Sequence, residues 1–248
     1  MPDQKPIVTD AFGLAPFGEA VNTATKGVVD GAGAFLSRIC LPAAEEFGLA
    51  VKDRISVWRA NNAAKIAQKA STMVSPELLE AGKLHAHPRL VMKAISNGSW
   101  SNSDDVQDLW AGLLASSCSE TGADESNLIF MNILSQMTTT EVKVVNYSCK
   151  YSPKNQGVRG LLFNSQLRIT FEHLVQITGI SEIHCLDNEL DHMRAVGLIA
   201  EGSGGINIVS GFAEIGATAL AFNLYVRAQG YSGSPADYFT PNSGTEAS

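Results

Sequence analysis

The sequence predicts a mainly α-helical protein, in which an N-terminal multi-helix domain is followed by a winged-helix-like C-terminal module with a small β-hairpin. Three observations carry this reading. Apolar residues recur at helical spacing from Pro42 to Lys150. Glycine and proline break that rhythm between Tyr151 and Arg168. Beyond Arg168 the signals run helix, turn, helix, glycine-rich hairpin, helix. With 248 residues, 45% of them hydrophobic and 17% charged, and a mean hydropathy of +0.04, the chain is globular, and disorder throughout is excluded.

Residues 1–20 mix proline and glycine with little periodicity and read as a flexible arm. The stretch from Val21 to Leu41 is helical. Its Gly27, Gly31 and Gly33 form neither a dinucleotide turn nor a phosphate loop, and instead suit close helix contact. Pro42 fits the first turn of a long amphipathic helix whose apolar positions are Phe47, Val51, Ile55, Trp58, Ile66 and Met73. Lys52, Arg54, Arg59, Lys65 and Lys69 then form an outer basic strip. Pro88 opens a short helix. Asp104 with Gln107 reads as a capping pair for the next one, whose buried stripe is Val106, Leu109, Trp110, Leu113 and Leu114. Leu128 to Leu134 supplies another helix, and Thr138 with Glu141 caps the one that ends near Lys150.

Tyr151 to Arg168 reads as a connecting loop with a short extended piece at Leu161 to Phe163. A helix near Phe171 to Ile177 is followed by a turn at Gly179, then by a helix from Ser181 that stops at Gly197. Leu198-Ile199 and Ile206 to Val209 flank Glu201 to Gly205 and are expected to pair as a hairpin, before a final helix from Ala213 to Ala228. Domain limits follow: arm 1–20, helical domain 21–136, winged-helix-like module 137–229, disordered tail 230–248. The apolar run from Ile206 to Val226 is long enough for a membrane span, but Asn207, Glu214 and Asn223 interrupt it, and Gly211 and Gly216 divide it into two elements.

Eighteen basic residues against twenty-five acidic ones give a net charge of −7, which argues against a general polyanion binder. The charge is unevenly placed. Arg38 to Lys93 holds nine basic and five acidic residues, whereas from Phe171 to Val226 Arg194 alone opposes seven acids. The second helix of the module carries Glu182, Asp187, Glu189 and Asp191, the wrong sign for phosphate contacts, so packing or protein contact is its expected role.

No reaction is legible. Cys40, Cys118, Cys149 and Cys185 are too scattered for a Cys-x-x-Cys site and read as reduced thiols. Glu189-x-x-His192 is a single copy of a motif that dinuclear sites use twice, and His87 before Pro88 reads as a helix cap, so no metal and no cofactor is expected. There is no Gly-x-Ser-x-Gly elbow. The first ten residues lack the layout of a secretory signal, which points to the cytoplasm.

Taken together, these segments resemble the bacterial Abi-alpha (abortive infection alpha) family. The resemblance rests on Asp53-Arg54-Ile55-x-x-Trp58-Arg59-x-x-Asn62, on the helix Asp108-Leu109-Trp110-Ala111-Gly112-Leu113-Leu114-Ala115, and on Phe130 to Glu141. It continues through Leu186-x-x-Glu189-Leu190, Val196-Gly197-Leu198-Ile199 and Phe212-x-x-Ile215-Gly216. It implies a part in abortive infection, in which an infected cell stops growing or dies before phage release, and it carries over no catalytic residues.

The expected function is therefore non-enzymatic recognition of another macromolecule, a protein partner before nucleic acid, by a soluble anti-phage protein. Lys52, Arg54, Arg59, Asn62, Lys65 and Lys69 are the candidate contact residues, and Trp58, Trp110, Leu113 and Leu114 are candidate core. A nucleic-acid-binding regulator and a membrane-acting effector are the alternatives.

Overall fold

The computed structural model describes residues 31–36, 38–39, 57–157, 161–163, 167–200, 206–207 and 211–240. Residues 31–36 and 38–39 are helical. Six helices follow: α1 (Val57–Met73), α2 (Pro76–Glu80), α3 (Pro88–Gly98), α4 (Asp104–Ala115), α5 (Leu128–Leu134) and α6 (Thr139–Tyr151). The chain then forms strands β1 (Asn155–Gln156), β2 (Leu162–Phe163) and β3 (Arg168–Thr170), and helices α7 (Phe171–Thr178) and α8 (Ile183–Ala195). It closes with β4 (Ile206–Asn207), β5 (Phe212–Glu214), α9 (Ala219–Ala228) and α10 (Pro235–Phe239). The protein is mainly helical, with small antiparallel sheets.

Local sequence explains where these helices begin. Pro88 occupies the first turn of α3, and the His87 ring accepts the Arg89 N–H at 3.3 Å. Thr138 and Glu141 form the expected reciprocal box at the start of α6. Thr138 Oγ1 accepts the Glu141 N–H at 3.2 Å, and Glu141 Oε2 accepts the Thr138 N–H at 2.9 Å. The capping pair expected at Asp104 and Gln107 does not form. Ser103 stands at the N-cap of α4 without a side-chain bond, and the Gln107 amide turns inward to the Ser101 carbonyl at 2.8 Å and Asn62 Oδ1 at 3.3 Å.

α4 is the hub. Every residue from Leu109 to Ala115 is buried, and the helix packs against α1, α3, α5, α6 and α9. Two glycines set the approach distances. A Cβ on Gly98 at the end of α3 would stand 2.6 Å from Ile66 of α1 and 2.9 Å from Trp110 of α4. One on Gly112 would meet the backbone of Ala228 in α9. A single hydrophobic cluster runs from Ala32 to Ala236. Trp110, Leu113 and Leu114 belong to it as expected, whereas Trp58 and Met73 do not and are exposed.

In the C-terminal half, β1 pairs antiparallel with β2 inside the segment expected to connect the two domains. A three-stranded antiparallel sheet has the order β3, β5, β4. The hairpin differs from the expected one. Ile206 pairs with Ala213 and Asn207 with Phe212, while Ile199 makes a lone bridge to Ala217. Glu201 to Gly205, the expected hairpin turn, lie outside the described residues. The final helix therefore starts at Ala219 and not at Ala213, because Phe212–Glu214 is drawn into the sheet between two strands and Thr218 caps the helix through the Ala221 N–H at 3.1 Å. The Ile206–Val226 run is thus divided among β4, β5 and α9, and no helix among the described residues is long and apolar enough to cross a membrane.

Beyond Gly230, where a disordered tail was expected, α10 forms. Ser234 caps it, Pro235 starts it, and Phe239 stacks on Tyr225 with ring centroids 6.0 Å apart and planes 14° apart.

Candidate functional site

The six candidate contact residues do not form a single strip. Lys52 and Arg54 lie outside the described residues. Arg59 and Asn62, one turn apart on α1, point inward to the C-terminal end of α3. The Arg59 guanidinium donates to Ser99 Oγ at 3.0 and 3.1 Å and to the Ser96 carbonyl at 3.0 Å, and the Asn62 amide donates to the Ser99 carbonyl at 3.1 Å. A helix ends with unsatisfied carbonyls and a partial negative charge, and these donors supply what that end lacks. Arg59 is 9% exposed and Asn62 is 4% exposed. Burial lowers the Arg59 pKa from its ordinary value, yet a guanidinium stays charged there.

Lys69 faces α4 and bridges Asp108 at 2.6 Å and Asp104 at 3.3 Å. Burial opposes its charged form, but the hydrogen bonds and fields of the two carboxylates outweigh burial and hold its pKa above the usual lysine value. Lys65 is exposed.

Arg59 also organises the surface around it. Its guanidinium lies 3.9 Å from the ring centroid of Trp100, and the Trp58 and Trp100 rings are tilted 6.4 Å apart. Trp58 is 41% exposed and Trp100 65% exposed. Two large aromatic rings thus stand side by side at the surface, Trp100 against the Arg59 guanidinium, with Lys65 two turns along α1 from Trp58. The sequence places Trp58 in the core because its spacing fits the apolar stripe of α1. Trp100, in the turn after α3, carries no periodic signal.

A second feature is a cleft of about 530 Å³ where α4 meets α6. α6 turns one face to it, with Lys143, Asn146, Tyr147, Lys150 and Tyr151 at positions i, i+3, i+4, i+7 and i+8. Asp105, Asp108 and Leu109 of α4 form the opposite wall, and Ile177 of α7, Tyr225 of α9 and Gln229 just after α9 complete the lining. Asn146 Oδ1 is sheltered from solvent and has no hydrogen-bond partner among the described residues. Burial, then the fields of Tyr238 and Cys149, keeps the Tyr225 phenol above its usual pKa, so it remains a hydrogen-bond donor. The alternation of Lys, Asn and Tyr on one face of α6, opposite buried Val142, Val145 and Cys149, is visible in the sequence, but its significance requires α4 alongside.

The acids of α8 are largely engaged within the protein. Glu189 accepts the Thr138 hydroxyl at 2.6 Å, Asp187 accepts the Ile206 N–H at 3.2 Å, His192 Nδ1 lies 2.5 Å from Glu141 Oε1, and Asp191 pairs with Arg194. Glu189 and His192, the motif weighed for a metal, thus have separate protein partners. Burial pushes the Cys118 thiol up to about 12, and burial, opposed by the field of Lys154, pushes Cys149 up as well.

A family model described as abortive infection alpha matches residues 59–209, a span that begins at Arg59 and contains both Trp100 and the α6 face of the cleft. No curated protein and no solved structure matches the chain.

Proposed function

The chain belongs to the abortive infection alpha family, and from that premise we propose that it is a non-enzymatic anti-phage protein of the bacterial cytoplasm, acting by binding a protein partner. The observation that carries this reading is the exposed Trp58–Trp100 pair, with the Arg59 guanidinium set against the Trp100 ring. Energetically dominant contacts in protein interfaces are enriched in tryptophan and arginine, and preorganised rings lose little freedom on binding. Of the candidate contact residues, Lys65 is exposed two turns along α1 from Trp58. Arg59 acts through the pair, as the cation set against Trp100, and Asn62 is buried.

The C-terminal half is read as a winged-helix module. The element order α6, β3, α7, α8, β4, β5, with β5 between β3 and β4, supports that topology. Its second helix carries acids committed to neighbouring residues, which supports packing or protein contact over duplex reading.

The test is a binding experiment with extract from phage-infected cells, comparing the unchanged chain with a Trp100→Ala, Lys65→Glu variant whose circular dichroism is unaltered. A partner retained by the first and lost from the second at physiological salt is the expected result. Equal retention by both, or binding to duplex DNA that falls steeply with salt, would count against the reading.

A further inference from the structure

We propose that the cleft between α4 and α6 is a binding site for a nucleoside phosphate. This goes beyond the reading of the Trp58–Trp100 surface and depends on different residues.

The walls carry complementary functions. On α6, Lys143 and Lys150 stand two turns apart with Tyr147 and Tyr151 beside them, and Tyr225 faces them from α9. Tyr147 and Tyr151 have ring centroids 4.6 Å apart at 41°, so the two rings form an angled aromatic wall and not a closed stack. Tyr151 is 55% exposed, which leaves its ring accessible. On α4, the charge of Asp108 is already matched by Lys69 at 2.6 Å, leaving exposed Asp105 as an acceptor.

Ammonium and phenol groups suit an anion, and the exposed Tyr151 ring adds a surface that a ligand with a planar base would cover. A nucleoside phosphate uses both kinds of group. Its phosphate meets an α6 ammonium, its base lies against a tyrosine face, and its amino or hydroxyl hydrogens meet exposed Asp105. The volume of about 530 Å³ lies within the range of small-ligand pockets. Because α4 lies in the helical half and α6, α7 and α9 in the other, such a ligand would touch both.

The test is calorimetric titration of the full chain with AMP, GMP, adenosine and inorganic phosphate, each to millimolar concentration. At least one nucleotide should bind saturably, its nucleoside more weakly, and phosphate alone without measurable heat. Tyr151→Ala should weaken nucleotide binding about tenfold by removing a stacking face. Lys150→Glu should weaken the nucleotide but leave adenosine unchanged. Both residues are exposed, so the fold should tolerate either change, and Lys83→Glu, on a remote loop, should bind as the unchanged chain does. Absence of heat with both nucleotides, or unchanged affinity in Tyr151→Ala and Lys150→Glu, would overturn the assignment, and the latter would place any binding elsewhere.

Discussion

Gly112 of α4 lies against Ala228 of α9 so closely that a Cβ on Gly112 would stand 1.7 Å from the Ala228 carbonyl oxygen and 2.2 Å from its carbon. The obstacle is backbone, which cannot rotate aside as a side chain can. Gly112→Ala should therefore force α4 and α9 apart and destabilise the protein by about 3 kcal/mol. Urea denaturation should show a lower midpoint with an unchanged slope, and a midpoint equal to that of the unchanged protein would refute the close approach.

The end of α3 depends on α1. Arg59→Lys keeps a positive charge but loses the fork that reaches Ser99 and Ser96 together, and Asn62→Ala leaves the Ser99 carbonyl and the Gln107 amide short of a partner. Each should cost about 1–3 kcal/mol. Since both act on Ser99, the double variant should lose less than the two single losses added together. Thermal unfolding of the three variants checks both points.

Glu141 has two tasks at once. Its side chain is fully buried, closing the capping box of α6 with one oxygen and meeting His192 of α8 with the other. Thr138→Ala removes the cap and the hydroxyl that reaches Glu189, and should cost about 1 kcal/mol. Glu141→Ala also leaves His192 without its carboxylate, and should cost more, about 2–3 kcal/mol. Equal losses in chemical denaturation would show that the Glu141–His192 contact adds nothing.

The buried thiols give a pH signature. With the Cys118 pKa at about 12 in the fold and near 9 when unfolded, unfolding releases a proton in that interval. This thiol's contribution to stability is complete below about pH 9 and declines as pH rises towards 12, by about 1.4 kcal/mol per unit at most. The gap in stability between the unchanged protein and Cys118→Ala should shrink over that range. At pH 8 the folded chain should leave Cys118 unmodified by iodoacetamide, as mass spectrometry would show.

Much of this architecture is legible in the residues, for local reasons. The Thr138–Glu141 box, His87 before Pro88 and the left-handed Gly179 and Gly197 are set by neighbours within a turn, and the stripe of Trp110, Leu113 and Leu114 follows from helical period alone. What escapes is set by distant neighbours. Arg59 and Asn62 look like an exposed basic strip until α3 ends beside them, 37 to 40 residues along the chain. Ala213 and Glu214 read as the start of the final helix, and only pairing with β3 and β4 on either side makes Phe212–Glu214 a strand. The lysines and tyrosines of α6 gain meaning only from the α4 wall across the cleft.

The proposed function requires Trp58 and Trp100 to be presented for recognition and not merely left uncovered. The most direct measurement is the efficiency of plating of a phage that the unchanged protein restricts, on cells carrying the Trp58→Ala, Trp100→Ala variant at equal abundance and with native circular dichroism. Protection should be lost. Protection equal to that of the unchanged protein would contradict the proposed function.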